Sequence, residues 1–273
     1  MMKRCLMTLT IVVAFTMTWA QTVTPQACEQ SIITPKSQGR YLWLPIQESA
    51  PEGKVQVIVN NTLKMEQNIR MAREKVDYYV ALDLQSYKSN GTLRVCVQNV
   101  PTGSVCFKKL AQNDDVDFAL IEEKYRPLYH HAPKRGWMND PNGMFYKDGV
   151  WNLFYQYNPY GSMWGNMHWG HSSSTDLIHW KDDGVALAPD VWGTMFSGSC
   201  VTDKENIVAM YTTSRPTPCG GDVQAQCIAF SKDGGKTFAK YEGNPVLLQK
   251  TRISATRVRS GTKTSKPGTS SWL

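Results

Sequence analysis

The sequence lacks a long hydrophobic run, a sustained helical period and the cysteine spacing of a zinc site. An apolar stretch from Leu6 to Phe15 is interrupted by threonines and is shorter than the roughly 20 apolar residues of a transmembrane helix. No segment repeats apolar residues at intervals of three and four over several turns, which disfavours a helical protein. These absences favour a soluble protein that is not mainly helical.

A basic face is also lacking, although the formal net charge is +7. Six lysines and arginines, with no acidic residue, lie in the last 24 residues, and Lys3 and Arg4 lie near the start. Without these charges the remainder of the chain is close to neutral. We therefore expect no nucleic-acid partner, because such a partner requires clustered positive charge.

The first 20 residues have the pattern of a secretory signal peptide. Lys3 and Arg4 precede the apolar stretch, and Thr18-Trp19-Ala20 carries small residues at the positions that a signal peptidase reads. We expect the mature chain to begin at Gln21. The protein is then secreted or periplasmic, with no membrane insertion; a membrane-anchored form is the minor alternative.

Six cysteines remain after residue 20, and an even number in an exported chain permits disulfide bonds. Cys96 and Cys106 flank a turn-like stretch and could face each other across a hairpin. Cys219 and Cys227 bracket a Gly-Gly turn in the same way. For the other two cysteines, buried free thiols are an equal alternative.

Short runs of alternating residues separated by turn residues predict a small β-sandwich over residues 21–118. Its aromatic cluster is either a sugar-binding surface or, more commonly for such residues, part of the core. The predicted strands are Arg40–Ile46, Lys54–Asn60, Val76–Leu84, Thr92–Val97 and Val105–Leu110. The aromatic cluster comprises Tyr41, Trp43, Tyr78 and Tyr79.

A polar hinge, Ala111–Asp117, precedes a second region over residues 125–248 that is rich in tryptophan and glycine. Short strands with a turn about every ten residues predict repeated four-stranded units, which are typical of β-propeller blades. The whole chain is therefore predicted to be all-β. The strands predicted here are Trp151–Tyr157, His168–Ser173, Ile207–Thr213 and Cys227–Ser231.

The densest chemical signal is the segment 130–143, which reads HHAPKRGWMNDPNG. Asp140 lies next to Pro141 in a predicted turn that ends at Gly143, and such a turn can hold one carboxylate rigidly at a strand edge. A retaining glycosidase needs an oriented carboxylate as its nucleophile. For this segment taken alone, an ordinary turn is the more common explanation.

The same segment resembles the signature of glycoside hydrolase family 32, the invertases, inulinases and levanases, in which a His-x-x-Pro lead-in precedes Trp-Met-Asn-Asp-Pro-Asn-Gly. The resemblance covers about 120 residues. It implies the first blades of a five-bladed β-propeller accompanied by a β-sandwich, and hydrolysis of fructans or sucrose without a cofactor or metal. It continues through Leu153–Pro159, Trp164–His171, Phe196–Ser199, Phe230–Phe238 and Asn244–Leu247.

The resemblance also implies roles for individual residues. Asp140 is the expected nucleophile. A furanose ring has hydroxyls that amide, hydroxyl and indole groups can bind, and an apolar face that packs on an aromatic ring. Strand-edge or core roles are the alternatives for single residues, and the joint match favours a pocket. The residues expected to line the pocket for the terminal fructosyl unit are Asn139, Gln156, Trp164, Phe196 and Ser197.

Two histidines within the matching segments, His130 and His168, are expected to be structural. In a retaining glycosidase, carboxylates perform both the nucleophilic attack and the proton transfer. No catalytic role is therefore left for an imidazole.

Two family motifs are missing: an Arg-Asp-Pro, whose aspartate binds the sugar, and a Glu-Cys, whose glutamate is the acid/base. Codons for Ile253–Arg257, read two nucleotides further on, can encode Phe-Arg-Asp-Pro. We therefore interpret residues 249–273 as a frameshifted tail on a truncated enzyme that does not turn over substrate. An unrelated disordered basic tail is the alternative.

The leading hypothesis is thus a truncated β-fructosidase of the retaining type. One alternative is a non-catalytic fructan-binding protein. A second is a related propeller glycosidase acting on arabinan or xylan, against which the complete Trp-Met-Asn-Asp-Pro-Asn-Gly motif argues. The choice among levan, inulin and sucrose, the exo or endo action and the oligomeric state are left open by the sequence.

Overall fold

The computed structural model of the protein describes residues 21–88, 91–218 and 220–248. Within these ranges the regular secondary structure is antiparallel β-strand, apart from one 3-10 turn, Gln85–Tyr87, and one α-helical turn, Cys106–Lys109 (α1). The predicted all-β class is confirmed. None of the helices described is long and apolar enough to cross a membrane. The predicted signal peptide and the predicted frameshifted tail lie outside these ranges.

The N-terminal part of the chain forms two packed antiparallel sheets. Its strands are β1 (Thr22–Ala27), β2 (Gln30–Thr34), β3 (Tyr41–Ile46), β4 (Gly53–Val59), β5 (Thr62–Ile69), β6 (Tyr78–Asp83), β7 (Leu93–Gln98) and β8 (Ala111–Asn113). One sheet has the order β1-β2-β7-β4-β5 and the other the order β6-β3-β8. This is the predicted β-sandwich.

The sandwich core follows directly from the period-two pattern of its strands. In β4, Val55, Val57 and Val59 are buried while the alternate residues are half-buried. They belong to the same core as Leu42 and Leu44 of β3. Full burial of a valine or leucine side chain stabilises the fold by about 1.5–3 kcal/mol, so these alternating runs are enough to specify which face of each strand points inward.

The predicted strand Val105–Leu110 is wrong, because this segment contains α1. The backbone N–H groups of Val105 and Cys106 donate to the carbonyl oxygens of Arg73 and Ala72, which draws the segment away from β7. Cys96 and Cys106 consequently do not face each other across a hairpin, and both are buried free thiols. Burial raises the pKa of Cys106 to about 12.

The predicted hinge Ala111–Asp117 is also partly wrong. Its first three residues form β8, which pairs with β3, for example Ala111 with Trp43. Strand β8 is therefore the edge strand of the smaller sheet. The Trp43 indole Nε1 donates to Asn113 Oδ1 at 2.8 Å. The polar composition of this segment predicts a linker. In the structure, however, a polar side chain of the segment forms a hydrogen bond with strand β3.

Residues 137–248 form two further antiparallel sheets, in which successive strands are neighbours. The strands are β9 (Trp137–Lys147), β10 (Val150–Asn158), β11 (His168–Ser174), β12 (Lys181–Leu187), β13 (Thr194–Asp203), β14 (Asn206–Pro216), β15 (Asp222–Ser231), β16 (Ala239–Lys240) and β17 (Leu247–Leu248). The orders are β12-β11-β10-β9 and β13-β14-β15-β16, with β17 also on β15. Such up-and-down sheets are propeller blades. The described residues thus hold four sheets, two of them blades, and not five blades.

The first strands of the two blades, β9 and β13, lie against each other. A Cβ at Gly143 of β9 would lie 3.2 Å from Cys200 Sγ of β13 and 3.2 Å from the Trp169 ring, and its φ is +58°. The backbone N–H of Met195 donates to Met167 O at 2.8 Å across the same boundary. Close contact of the blades at this point therefore requires glycine.

The sandwich contacts the segment that leads into the first blade through Arg135, which is separated from β9 by Gly136. The guanidinium carbon lies 4.7 Å from the centre of the Trp43 ring. The same group donates to the carbonyl oxygens of Tyr79 and Phe118 at 3.3 Å each. Trp43 is fully buried, which agrees with the core interpretation of the aromatic cluster.

Candidate active site

Asp140 lies within strand β9 and not in a turn, which corrects the predicted local structure. Asn139 pairs with Gln156 and Pro141 with Tyr155, so Asp140 is the extra residue of a β-bulge. Its φ is +34°, an uncommon value that aspartate tolerates better than most residues. The bulge leaves the carboxylate exposed, and strained backbone of this kind is concentrated at functional sites.

Asn139 and Gln156 lie directly opposite each other, on β9 and β10. The two side chains therefore share one face of the sheet, next to the Asp140 bulge. The Trp137 indole donates to Asn139 Oδ1 at 2.8 Å, which leaves the Asn139 amide nitrogen as a donor. Gln156 is only 3 % exposed, and its Nε2 has no hydrogen-bond partner. Two amide side chains with available donors thus lie on the same face of the sheet beside Asp140.

The second blade places Phe196 and Ser197 on β13. Phe196 pairs with Thr212 and Gly198 with Tyr211, so Ser197 is itself a bulge residue, and it is exposed. The Trp169 indole donates to Phe196 O at 2.9 Å and ties this segment to the first blade. The first strand of each blade therefore carries a bulge that exposes a predicted site residue, and β9 has a second register shift opposite Asn152 and Phe154.

Trp164 lies in the loop between β10 and β11 and is 61 % exposed. Its ring meets the Phe196 ring edge to face, with 6.3 Å between the ring centres. A tryptophan that contacts another ring and still presents most of its surface to solvent can pack on the apolar face of a sugar. The alternative role, a core tryptophan of the blade, is wrong.

The two histidines predicted to be structural differ in their surroundings. His168 is buried, its Nδ1 donates to Asn166 O, and its ring packs against Tyr160. Burial lowers the pKa of His168 to about 4, so the imidazole is neutral at pH 7. A neutral, buried imidazole bound to a backbone carbonyl supports a structural role. His130 is exposed beside Tyr129.

Residues 130–266 match the family model of the glycosyl hydrolases family 32 N-terminal domain. This chain belongs to glycosyl hydrolase family 32. The preceding residues, 28–129, match a family described only as a domain of unknown function, DUF4980. The predicted family is confirmed, and the sandwich is the part that carries no assigned role.

The family 32 chain is similar to several curated proteins. It is 50 % identical over 145 residues to a levanase of Bacillus subtilis (strain 168), covering 49 % of this chain and 21 % of the relative. It is 41 % identical over 167 residues to an invertase of Schwanniomyces occidentalis, covering 54 % and 30 %. The chain therefore spans less than a third of the length of either relative.

Among solved structures, the family 32 chain matches a GH32 β-fructofuranosidase of Bombyx mori. The two are 45 % identical, and the match covers 49 % of this chain and 28 % of that chain with a TM-score of 0.44.

In the family 32 chain, the six predicted site residues lie on three neighbouring elements, β9, β10 and β13, and on the loop after β10. Sequence reasoning missed the residues that hold β9 in place. The Tyr157 hydroxyl donates to Arg135 O at 2.9 Å, and Gly136 has a φ of +87° where a Cβ would lie 2.4 Å from Asn158 O. Both Arg135 and Gly136 lie within the signature segment 130–143. Their place in that segment is the sequence feature that could have identified them as residues that position β9.

Proposed function

We propose that this chain is the N-terminal part of a secreted, retaining β-fructosidase that degrades fructans or sucrose, with Asp140 as its nucleophile. The observation that carries the proposal is the Asp140 bulge. It presents one carboxylate beside the amides of Asn139 and Gln156. The names of the curated relatives, levanase and invertase, support a fructosyl substrate.

In this mechanism Asp140 attacks the anomeric carbon of the terminal fructosyl unit and forms a covalent fructosyl-enzyme intermediate. Asn139, Gln156 and Ser197 bind the ring hydroxyls, while Trp164 and Phe196 cover its apolar face. A second carboxyl group first protonates the leaving oxygen and then deprotonates water. We propose that this group is the family's Glu-Cys glutamate, which this sequence lacks.

The test is Asp140→Asn in a chain completed with the remaining family 32 residues. Asparagine keeps the size of the side chain and tolerates the positive φ, but it cannot act as a nucleophile. We expect fructose release from levan, inulin and sucrose to fall by on the order of 10⁴-fold or more, with an unchanged circular dichroism spectrum.

Asp148→Asn is the matched control, because Asp148 is also exposed, lies in the same β9–β10 hairpin and has a φ of +50°. This variant should retain full activity. Fructose release by Asp140→Asn at the rate of the Asp148→Asn control would remove Asp140 as the nucleophile.

The 273 residues contain no Glu-Cys motif, which in the proposed mechanism supplies the acid/base group. Loss of general acid–base catalysis alone costs about 10²- to 10⁴-fold in rate. Sequencing the gene past codon 249 tests the frameshift. Nucleotides that encode Arg-Asp-Pro and then Glu-Cys in the shifted frame would support it, and their absence would exclude it.

Exposed apolar side chains on the second blade support a larger propeller. Val201, Met210 and Leu247 are each more than one-third exposed. In a closed propeller each blade packs its faces on its neighbours, and a further blade would cover such residues. The second candidate function, fructan binding without hydrolysis, is favoured by the exposed indole of Trp164 and predicts levan or inulin binding with no fructose release.

A further inference from the structure

A polar cleft lies between the sandwich and the loop that carries Trp164. It has a volume of about 150 Å³. Glu48, Glu52, Asn68 and Arg70 line it from the sandwich, and Ser162 and Trp164 from the loop. Of the residues predicted to form the fructosyl pocket, only Trp164 lines this space.

The two sides of the cleft are fixed to each other. Asn166 binds the β5 backbone at Asn68 twice, since the Asn68 N–H donates to Asn166 Oδ1 at 3.2 Å and Asn166 Nδ2 donates to Asn68 O at 2.8 Å. Asn158 Nδ2 donates to Met163 O at 2.8 Å and holds the other end of the loop. The cleft is therefore preformed, which lowers the entropic cost of binding a ligand.

The charged groups of the cleft are held in position by the sandwich. The Tyr78 hydroxyl donates to Glu48 Oε2 at 2.6 Å, which leaves Oε1 as an acceptor. One Arg70 nitrogen donates to Ala50 O at 2.8 Å, and another lies 3.6 Å from Glu52 Oε1. Two carboxylates and one guanidinium, all partly satisfied, suit a neutral ligand with several hydroxyls better than an anion such as phosphate.

The cleft and the predicted fructosyl pocket share Trp164. One side of this tryptophan meets Phe196, the neighbour of Ser197, and Trp164 also lines the cleft. A linear sugar chain whose terminal unit lies between Asp140 and Phe196 can therefore pass over the exposed indole toward Arg70.

We propose that this cleft binds the fructosyl units of the substrate that follow the terminal one, so that the N-terminal sandwich is a part of the substrate-binding site. This inference rests on the proposed function for the nature of the sugar. The recognising contacts are aromatic packing by Trp164, hydrogen bonds that Glu48 and Glu52 accept from sugar hydroxyls, and hydrogen bonds that Arg70 donates.

The experiment measures binding of fructose and of a fructan tetrasaccharide, in its β(2→6) and β(2→1) forms, to the full chain by isothermal titration calorimetry. We expect at least one tetrasaccharide to bind more tightly than fructose. Arg70→Ala should weaken that binding about tenfold or more, since a hydrogen bond from a charged group is lost, and should leave fructose binding unchanged. Glu48→Gln, which keeps the side-chain shape, should have the same selective effect.

Arg40→Ala is the matched control, because Arg40 forms a bidentate ion pair with Asp83 on the sandwich and does not line the cleft. It should change neither affinity. Equal tetrasaccharide binding by wild type, Arg70→Ala and Glu48→Gln would overturn the proposal, as would a wild type that binds tetrasaccharide no better than fructose. Binding does not require turnover, so the cleft stands if these variants lose tetrasaccharide affinity even where the Asp140→Asn test fails.

Discussion

At the scale of single residues, Gln156 carries an amide nitrogen that the fold leaves without a hydrogen-bond partner. Its Nε2 is buried without a partner, although buried donors are normally hydrogen-bonded. An unsatisfied buried donor costs stability, which a fold tolerates where a ligand later provides the acceptor. This makes Gln156 a better candidate for sugar recognition than its sequence context alone allowed.

Gln156→Met should therefore separate binding from stability. Methionine has nearly the same shape and no donor, so we expect the free energy of unfolding in urea to stay the same or to rise by about 1 kcal/mol. Fructose affinity should fall about tenfold, because one hydrogen bond to the sugar is lost.

Gln67→Met is the control for that change, because Gln67 is also buried, also has an unpartnered Nε2 and lies in the sandwich. It should change stability in the same direction and leave fructose affinity intact. If Gln156→Met bound fructose as tightly as the control, Gln156 would have no part in the pocket.

At the scale of strands, the contact of β9 with β13 depends on Gly143. In Gly143→Ala, a methyl group would lie 3.1–3.2 Å from Phe154, Cys200 and Trp169, at a positive φ. We expect a loss of about 2–4 kcal/mol in the urea unfolding free energy, from the left-handed backbone and from overpacking.

Gly149→Ala separates the cost of the left-handed backbone from the cost of overpacking. Gly149 has a φ of +81° in the β9–β10 turn, but no atom lies within 4 Å of an added Cβ. This control should lose only about 1–2 kcal/mol. Equal losses in both variants would mean that the blades do not pack closely at Gly143.

The strands that were predictable are those with alternating or continuous apolar residues, such as β4 and β10. The sequence predicts a turn for the Asp140–Gly143 segment of β9, because aspartate, proline and glycine are turn formers in most local contexts. The first strand of a blade can accommodate them, since bulges remove individual residues from the pairing ladder. Local composition does not contain that tertiary information.

The candidate site likewise contains residues that the sequence predicts and residues that it does not. Asp140 and the pocket residues were found through a continuous motif and its extensions. The role of Arg135 was not, because it depends on Trp43, which lies some ninety residues earlier in the chain. A contact between two domains leaves no local periodicity in the sequence from which it could be predicted.

At the scale of the whole molecule, stability should depend on pH through two buried histidines. Burial lowers the pKa of both His168 and His171 to about 4, below the 6.5 of an exposed imidazole. Between these values the unfolded chain binds more protons than the folded one, so stability falls as the pH decreases from about 6.5 to about 4. From pH 7 to pH 5 we expect a loss of about 2 kcal/mol for each histidine.

Urea unfolding at pH 7 and pH 5 measures this dependence. His168→Gln should reduce the pH-dependent loss by about half, whereas His179→Gln, which replaces an exposed histidine, should leave it unchanged. Identical pH dependence in all three proteins would show that His168 is not the group that titrates.

The thiol of Cys200 lies at the boundary of the two blades, opposite Gly143. Burial raises its pKa to about 12, so almost no thiolate is present at neutral pH, and thiolate is the form that alkylating reagents attack. Cys28, by contrast, is exposed. The alkylation rate of Cys200, compared with the rapid alkylation of Cys28 in the same protein, would thus measure how often the boundary between the blades opens. The experiment needs no introduced cysteine.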